Sequence, residues 1–381
     1  MPREFEPSWE DGIRSIHPDE FESLDRLISD VFFPGLFERQ PHVFMPENAG
    51  NLRVVVKDGE VVSHIGTIRR QAVIYGCPIS VASLGGVATY GSHRGHGYAT
   101  ALFEDTMRVC REDGVDIILV SGYRKMYHRL GCRYIGKDQV FEIQADQADA
   151  FDDGLEVRAA SEADIADLMR VYRFESVRWV RPPADYAQMI DGWATNRPAR
   201  TFLVKDGGHL RGFVVLQVPD EGDDGRVRVL DFAGDRVCLA GALGRLAKDQ
   251  GLQRLYLQVM GHDRLFGDVL QERGLEGKPV STSGTMLVIH FAQLMERMRP
   301  YFEEVLGEAA KGLVFEEQGD EMIFRYGGDR VVAENRGRAA EIIFGTLEDK
   351  EASVLDAGGL VGEVLRKVFP IPGLWYGVNY V

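Results

Sequence analysis

The octet HRGHGYAT, residues 93–100, has the residue types of a loop that holds phosphate. It lies where an apolar run ending in Thr89 gives way to a helical pattern, ALFEDTMRVCRED. A helix N-terminus leaves about four N–H groups unpaired and carries roughly half a positive charge. Gly95 and Gly97 let the backbone approach an anion closely, and Arg94 adds a charge-assisted contact. The stretch therefore predicts binding of a pyrophosphate.

Two common nucleotide-binding loops do not fit the octet. The dinucleotide fingerprint requires GxGxxG in a crossover unit, whereas the glycines here lie in GHGYA and follow strands joined by hairpins. The Walker loop requires Gly-Lys-Ser/Thr, which does not follow. On the residues alone, a strand-to-helix turn that binds nothing remains the alternative.

The rest of the chain offers no second catalytic motif. No Ser-His-Asp or Cys-His arrangement is evident, and no cysteine pair has the spacing of a zinc site or a disulfide framework. We therefore expect free thiols in a reducing compartment and no metal. The cysteines are Cys77, Cys110, Cys132 and Cys238.

Length and composition predict a multidomain globular protein. At 381 residues the chain has room for two or three domains of about 100–200 residues each. The net charge of −15 argues against nucleic acid and anionic lipid as partners and suits a cationic small substrate. The acidic N-terminus and the lack of an apolar run of about 18 residues predict neither a signal peptide nor a membrane span. We expect a cytoplasmic protein.

The pattern of elements repeats once along the chain. Residues 1–146 follow the order βαβββαβαβ, with QVFEIQA as the closing strand and two strands joined at Lys57-Asp58-Gly59. Residues 147–290 repeat the plan, and the VKDG of residues 56–59 returns at 204–207. The sequence therefore predicts an α/β (α+β) fold with two similar domains over these ranges.

A third domain is predicted over residues 291–381. FAQLMERMRPYFEEVLG has a helical pattern, and strands separated by glycine turns follow it. The chain ends in an apolar tail, PIPGLWYGVNYV. Because free ends are usually polar and fray, we expect this tail to be buried against another part of the molecule.

The octet resembles the Arg/Gln-x-x-Gly-x-Gly/Ala loop of the GNAT superfamily of acyl-CoA-dependent N-acyltransferases. The element order of the first domain is similar to that fold as well, with Gly91 in place of a proline common in the family. The resemblance implies mixed central sheets and acetyl-CoA as co-substrate. It also implies a main-chain binding site for the coenzyme A pyrophosphate at Arg94, Gly95, His96, Gly97, Tyr98, Ala99 and Thr100.

The same resemblance implies roles for the strand before the octet. Main-chain groups of Val87, Ala88 and Thr89 would pair with pantetheine as an added strand does. The Val87 amide would polarise the thioester carbonyl. Asp30 and Phe33, at the end of the first helix, would form part of the acceptor wall, with core packing as the alternative for the phenylalanine.

The whole chain resembles the Eis (enhanced intracellular survival) type of acetyltransferase. In that type two GNAT units precede a unit like sterol carrier proteins, and the subunits form homo-oligomers, often hexamers. The second unit here has FAGDRVCLAG at the loop position, with Asp235 where phosphate would sit. We therefore expect the second unit to be structural.

This resemblance also implies the catalytic groups. Tyr127, in Tyr-His-Arg-Leu-Gly, would donate a proton to the departing thiolate, and the C-terminal carboxylate, here that of Val381, would orient or deprotonate the amine. The alternatives are a tyrosine that packs a short helix, His128 as the acid or base, and a tail that caps the third domain.

The preferred interpretation is an N-acetyltransferase that moves acetyl from acetyl-CoA to a primary amine of a cationic acceptor in a ternary complex. Aminoglycoside-like compounds, polyamines and lysine side chains are the candidate acceptors. Two alternatives stay open: a lipid carrier with vestigial acyltransferase domains, and a transferase for a longer acyl group.

Overall fold

Three β-sheets carry the fold of the chain. The computed structural model describes residues 12–122, 124–194, 197–218, 226–282, 284–348, 354–356, 358–375 and 377–379. The described strands are β1 (Ile13–Ser15), β2 (Leu52–Lys57), β3 (Glu60–Ile74), β4 (Cys77–Thr89), β5 (Ile117–Val120), β6 (Asp138–Gln144), β7 (Glu156–Ala159), β8 (Val177–Trp179), β9 (Asp191–Ala194), β10 (Arg197–Asp206), β11 (His209–Gln217), β12 (Arg226–Gly234), β13 (Arg254–Val259), β14 (Lys278–Val280), β15 (Thr285–Val288), β16 (Val314–Gln318), β17 (Glu321–Tyr326) and β18 (Asp329–Ala333).

Helices lie between and around these strands. The described α-helices are α1 (Phe21–Val31), α2 (Leu36–Arg39), α3 (Pro41–Phe44), α4 (Tyr98–Glu112), α5 (Lys125–Arg129), α6 (Ile165–Tyr172), α7 (Pro183–Ile190), α8 (Arg236–Asp249), α9 (Arg264–Glu272), α10 (Phe291–Arg297), α11 (Arg299–Leu306), α12 (Arg336–Phe344) and α13 (Gly359–Val368). In this part of the chain, none of the helices combines the length and apolar character needed to cross a bilayer.

The first sheet is built on two successive hairpins, β2–β3 and β3–β4. Its order is β1-β2-β3-β4-β5-β15, with β8 beside β3. Asp58 and Gly59 both have positive φ, 49° and 79°, which is the geometry of a two-residue hairpin turn. The predicted turn is therefore confirmed. Helix α4 ends at Glu112, and Gly114 follows with a φ of 71°, the conformation in which a glycine commonly ends a helix.

The second sheet repeats this plan, which confirms the predicted repetition of elements. Its order is β14-β6-β13-β12-β11-β10-β7, with β9 beside β10. As in the first sheet, an antiparallel hairpin leads to a strand with a parallel neighbour: β4 pairs with β5, and β12 pairs with β13. The predicted α/β fold with mixed central sheets is confirmed.

Each of the two large sheets contains a strand from beyond the predicted boundary. The strand QVFEIQA, predicted to close the first sheet, is β6 and pairs with β13 and β14 in the second. In return, β15 pairs with β5 and covers what would be an open edge of the first sheet. The prediction for β6 is wrong because an apolar strand fits either edge and its pattern does not name its partner. The boundaries after residues 146 and 290 stay a prediction.

The third unit packs against the first sheet. Its strands form an antiparallel meander, β16-β17-β18. One core cluster joins its side chains, including Phe302 and Phe324, to Ile79 and Leu119 of the first sheet. The single helix predicted after Phe291 is instead two, α10 and α11. Pro300, in the first turn of α11, has no N–H for a continuous helix.

Candidate active site

The candidate site is a cleft between β4 and β5. These strands pair in parallel from Val81 and Ile117 to Leu84 and Val120, and the pairing ends there. Just beyond that point the β3–β4 register shifts, so that Gly86 and Val87 face no partner residue on β3. Such a β-bulge takes backbone groups out of the ladder and turns them elsewhere. Both bulge residues line the cavity between the separated strands.

His64 holds the bulge from the neighbouring strand. Its Nδ1 lies 2.7 Å from the Gly86 carbonyl oxygen, and its side chain is fully buried. Burial lowers the pKa of His64 to about 4, so the ring is neutral and Nδ1–H donates to that oxygen. Gly86 has a φ of 59°, and a β-carbon there would lie 3.0 Å from the Phe44 ring. The bulge therefore requires glycine and is supported by a histidine that the sequence analysis missed.

The low pKa of His64 predicts a loss of stability in acid. The folded pKa of about 4 lies below the ordinary value of 6.5, so between these values the unfolded chain binds more protons than the folded chain. The free energy of unfolding therefore falls as the pH drops through this window. At pH 5 the expected loss from His64 is about 2 kcal/mol relative to neutral pH. Denaturant unfolding at pH 7.5 and pH 5 measures it.

Two substitutions test this assignment. His64→Asn keeps a donor near the Nδ1 position and removes the titration, so it should lose about 2 kcal/mol less between the two pH values than the unsubstituted chain. His96→Asn, at an exposed ring, should leave the pH dependence unchanged. Burial also lowers the pKa of His42 and of His262 to about 4. These two histidines should cause the loss of stability in acid that remains in His64→Asn. Equal acid losses in the two variants would contradict the assignment.

The octet forms the wall of a neighbouring cavity. Gly95 and Gly97 have φ values of 85° and 79°, and Gly97 directly precedes α4. No atom lies within 4 Å of a β-carbon placed at either glycine, so they supply backbone conformation rather than space. His96 does not line this cavity, and its ring stacks on Tyr98 with the centroids 5.6 Å apart. The cavity is lined by Thr89, His93, Arg94, Gly95, Gly97, Tyr98, Ala99, Thr100, Arg124 and Arg129.

Three guanidinium groups give this cavity the charge of an anion site. Arg94, Arg124 and Arg129 line it together with the N-terminus of α4, and no carboxylate is among its described lining residues. Within the described chain, none of the three arginines has a carboxylate partner. We call this the arginine cavity. No role was predicted for Arg124 and Arg129, although both lie in the basic segment RKMYHR.

Tyr127 lines the cavity between the separated strands β4 and β5, and this cavity shares Arg124 with the arginine cavity. Its ring packs 5.9 Å from the Phe103 ring, and a β-carbon at Gly122 would lie 2.6 Å from the Tyr127 ring. Burial raises the pKa of Tyr127 to about 12, with the positive charge of Arg124 acting against it. Within the described chain the hydroxyl has no hydrogen-bond partner. We call this the tyrosine cavity; it is lined by Phe32, Phe33, Leu36, Gln40, Leu84, Gly85, Gly86, Val87, Val120, Ser121, Gly122, Arg124 and Tyr127.

The remaining predicted residues have mixed placements. Phe33 lines the tyrosine cavity, whereas Asp30 is exposed on α1 and lines neither cavity. The His128 ring contacts Tyr134, with the centroids 4.9 Å apart, and also lines neither cavity. Val381 lies outside the described residues. The structure thus brings the bulge, the octet, Phe33 and Tyr127 to one place and leaves Asp30 away from it.

Comparisons with known proteins agree with this geometry. Residues 12–135 match the family model of an acetyltransferase (GNAT) domain. No curated protein matches the sequence. Similar solved structures include a GCN5-related N-acetyltransferase from Anabaena variabilis, 13% identical, with a TM-score of 0.67 and coverage of 95% of this chain and 97% of that one.

Two further solved structures are similar along nearly the whole chain. A GCN5-related N-acetyltransferase from Kribbella flavida is 18% identical, with a TM-score of 0.66 and coverage of 97% and 99% of the two chains. Eis1 from Mycobacterium abscessus is 14% identical, with a TM-score of 0.61 and coverage of 94% and 96%. At these identities the likeness is one of fold. Residues 12–135 thus match a GNAT acetyltransferase domain, and almost the entire chain shares its fold with solved N-acetyltransferases.

Proposed function

We propose that the protein is an N-acetyltransferase that moves acetyl from acetyl-CoA to a primary amine of a cationic acceptor. The observation that carries the proposal is the pair of cavities that share Arg124 as a lining residue. One presents three arginines and a helix N-terminus to an anion, and the other presents the bulge and the Tyr127 hydroxyl. These are the groups that a thioester with a pyrophosphate tail requires.

The residues of the chain would divide the work as follows. The arginine cavity would hold the pyrophosphate, and main-chain groups of Val87, Ala88 and Thr89 would bind pantetheine as an added strand. Acetyl-CoA supplies the acetyl group and the leaving thiolate. The Val87 N–H would polarise the carbonyl while a C–N bond forms, the C–S bond breaks and the amine loses a proton.

The Tyr127 hydroxyl would stabilise the departing sulfur. With its pKa raised to about 12, it stays protonated across neutral pH. A tyrosine hydroxyl with this pKa holds its proton more tightly than a thiol, whose pKa is about 8.5. The hydroxyl would therefore act chiefly by donating a hydrogen bond as negative charge develops on sulfur.

The described lining residues of the tyrosine cavity include no carboxylate. Among the described lining residues of the tyrosine cavity, Phe32, Phe33 and Leu36 are apolar, Gln40 is neutral and Arg124 is cationic. A cationic amine would need a counter-charge at this site. We propose the α-carboxylate of Val381 as that group, orienting the amine or accepting its proton through water.

The alternative of a lipid carrier has less support. The apolar side chains of the third unit share a core with the first sheet, where Phe302, Phe315, Phe324 and Phe369 pack edge to face or tilted against one another. The Eis-type identity, the likeness of the third unit to sterol carrier proteins and a hexameric assembly remain proposals from the resemblance. The cytoplasmic location remains a proposal from the composition.

The proposed activity is tested by thiol release. The protein is incubated with acetyl-CoA and a panel of polyamines, aminoglycosides and lysine peptides, and a parallel series with longer acyl chains tests the remaining alternative. We expect thiol release that depends on the amine and is fastest with acetyl. Absence of both coenzyme A binding and thiol release with every amine would overturn the proposal.

Arg94→Glu should weaken coenzyme A binding at least about tenfold, or by about 1.4 kcal/mol, because it replaces a charge-assisted contact with repulsion. Calorimetry measures the affinity. Arg26→Glu is the matched control, since Arg26 is exposed on α1 and lines neither cavity. Equal affinities of both variants for coenzyme A would contradict the assignment of the pyrophosphate to the arginine cavity.

A further inference from the structure

The second unit keeps the cleft geometry of the first. Strands β12 and β13 pair in parallel from Arg226 and Arg254 to Arg228 and Tyr256, and the pairing ends there. Two residues later, the β11–β12 register shifts and leaves Leu230 without a partner residue. In the first unit the parallel pairing ends at Leu84, and Gly86 lies at the same offset, in the bulge. Leu230 therefore occupies the position that corresponds to the bulge of the candidate active site.

The anion site of the second unit is filled by the chain itself. Residues 90–97 separate strand from helix in the first unit, whereas only Asp235 separates β12 from α8. The Asp235 carboxylate accepts the Val237 and Cys238 N–H groups, both at 3.0 Å. Glu175 accepts the Gly234 N–H at 2.9 Å. Carboxylates thus satisfy the N–H groups that a phosphate would use, and Arg236 pairs with Glu175 instead of facing an anion.

The other half of this cleft holds the C-terminal segment of the chain. Trp375 Nε1–H donates to the Leu230 carbonyl oxygen at 2.9 Å, directly at the bulge. Leu374 and Trp375 line the same cavity as Asp231 and Phe232 of β12. The chain then turns at Gly377, where a β-carbon would lie 3.1 Å from the Leu230 oxygen. The predicted burial of the tail is confirmed for Leu374, which is 1% exposed.

The bound segment is also tied to the first sheet. Trp179 Nε1–H donates to the Trp375 carbonyl oxygen at 2.8 Å. Trp179 belongs to β8, which pairs with Ala72 of β3. Strand β3 also carries His64, which supports the bulge of the candidate active site. One strand therefore connects the site of the first unit to the anchor of the tail.

We propose that the cleft of the second unit is a binding site for the chain's own C-terminal segment, described over residues 371–375 and 377–379, and that it positions the last residues of the chain. The ligand of this cleft is an apolar peptide that contains a tryptophan. The bulge that holds it corresponds to the bulge at Gly86 and Val87, where the first unit would bind the acetyl group. The positioning role rests on the proposed function, in which the Val381 carboxylate acts at the acceptor site.

The docking is tested by cleavage of the tail in the full-length chain. Chymotrypsin cuts after Leu374 only when the segment leaves the cleft, and the cleavage rate, followed by intact mass, tracks the open population. Trp179→Phe leaves the tail sequence unchanged and removes one hydrogen bond to it, so cleavage should rise about fivefold. Trp375→Phe should give a similar rise, and Trp375→Ala a rise of about a hundredfold.

Two controls accompany these variants. Tyr301→Phe removes a side-chain hydrogen bond to the Val368 carbonyl oxygen, outside the cleft, and should leave the cleavage rate unchanged. Free peptides of residues 371–381 with the same substitutions correct for intrinsic cleavage rates. Unchanged cleavage in Trp179→Phe and both Trp375 variants would overturn the docking site.

Kinetics test the positioning role. In Trp375→Ala, kcat should fall at least about tenfold while KM for acetyl-CoA stays unchanged, because only the acceptor side loses its counter-charge. Fast cleavage with full kcat would overturn the positioning role. A chain without transferase activity would instead contradict the proposed function, and the cleavage rates would still decide the docking.

Discussion

Replacing Tyr127 with phenylalanine is expected to lower kcat about a hundredfold and to leave the affinity for acetyl-CoA unchanged. Phenylalanine keeps the packing of the ring against Phe103 and Gly122, so the variant loses only the hydroxyl. That hydroxyl interacts with charge that develops in the transition state, and loss of such a group affects turnover rather than ground-state binding. Steady-state kinetics and calorimetry separate the two effects.

The control for this variant is Tyr134→Phe. Tyr134 lies close by in the chain, contacts the His128 ring and lines neither cavity. It should keep full kcat. If Tyr127→Phe also kept full kcat, the tyrosine would be a packing residue. A parallel loss of coenzyme A affinity would show that the substitution deformed the cleft.

Gly86→Ala is expected to lower kcat/KM for acetyl-CoA about a hundredfold, the scale of losing one donor to a developing oxyanion. The added β-carbon would lie 3.0 Å from the Phe44 ring and 3.2 Å from the His64 ring, both of which are buried. The positive φ adds strain of about 1–2 kcal/mol. The bulge must therefore move, and the Val87 amide moves with it.

Gly76→Ala is the matched control for the backbone strain. Gly76 has a φ of 80° in the β3–β4 turn, and no atom lies within 4 Å of a β-carbon placed there. Both variants should lose stability in denaturant unfolding, but only Gly86→Ala should lose kcat/KM. Similar values of kcat/KM in the two variants would show that the bulge has no role in catalysis.

Local patterns in the sequence determined the parts of this protein that depend on neighbouring residues. The two-residue turn at Asp58 and Gly59, the stop of α4 near Gly114 and the glycine conformations of the octet all follow from backbone preferences at those positions. Alternating and helical apolar patterns likewise placed most strands and helices. These features need little knowledge of distant partners, so a single sequence carries them.

Only the tertiary structure decided which distant groups meet. Strand β6 joins the second sheet and β15 the first, because an apolar strand fits any edge that offers unpaired backbone groups. The sequence also did not predict that Arg124 would line both cavities or that His64 would hold the bulge at Gly86, because these contacts join separate segments of the chain. The apolar tail was predicted to be buried, but its binding place, the second cleft, depends on pairing between segments far apart in the chain.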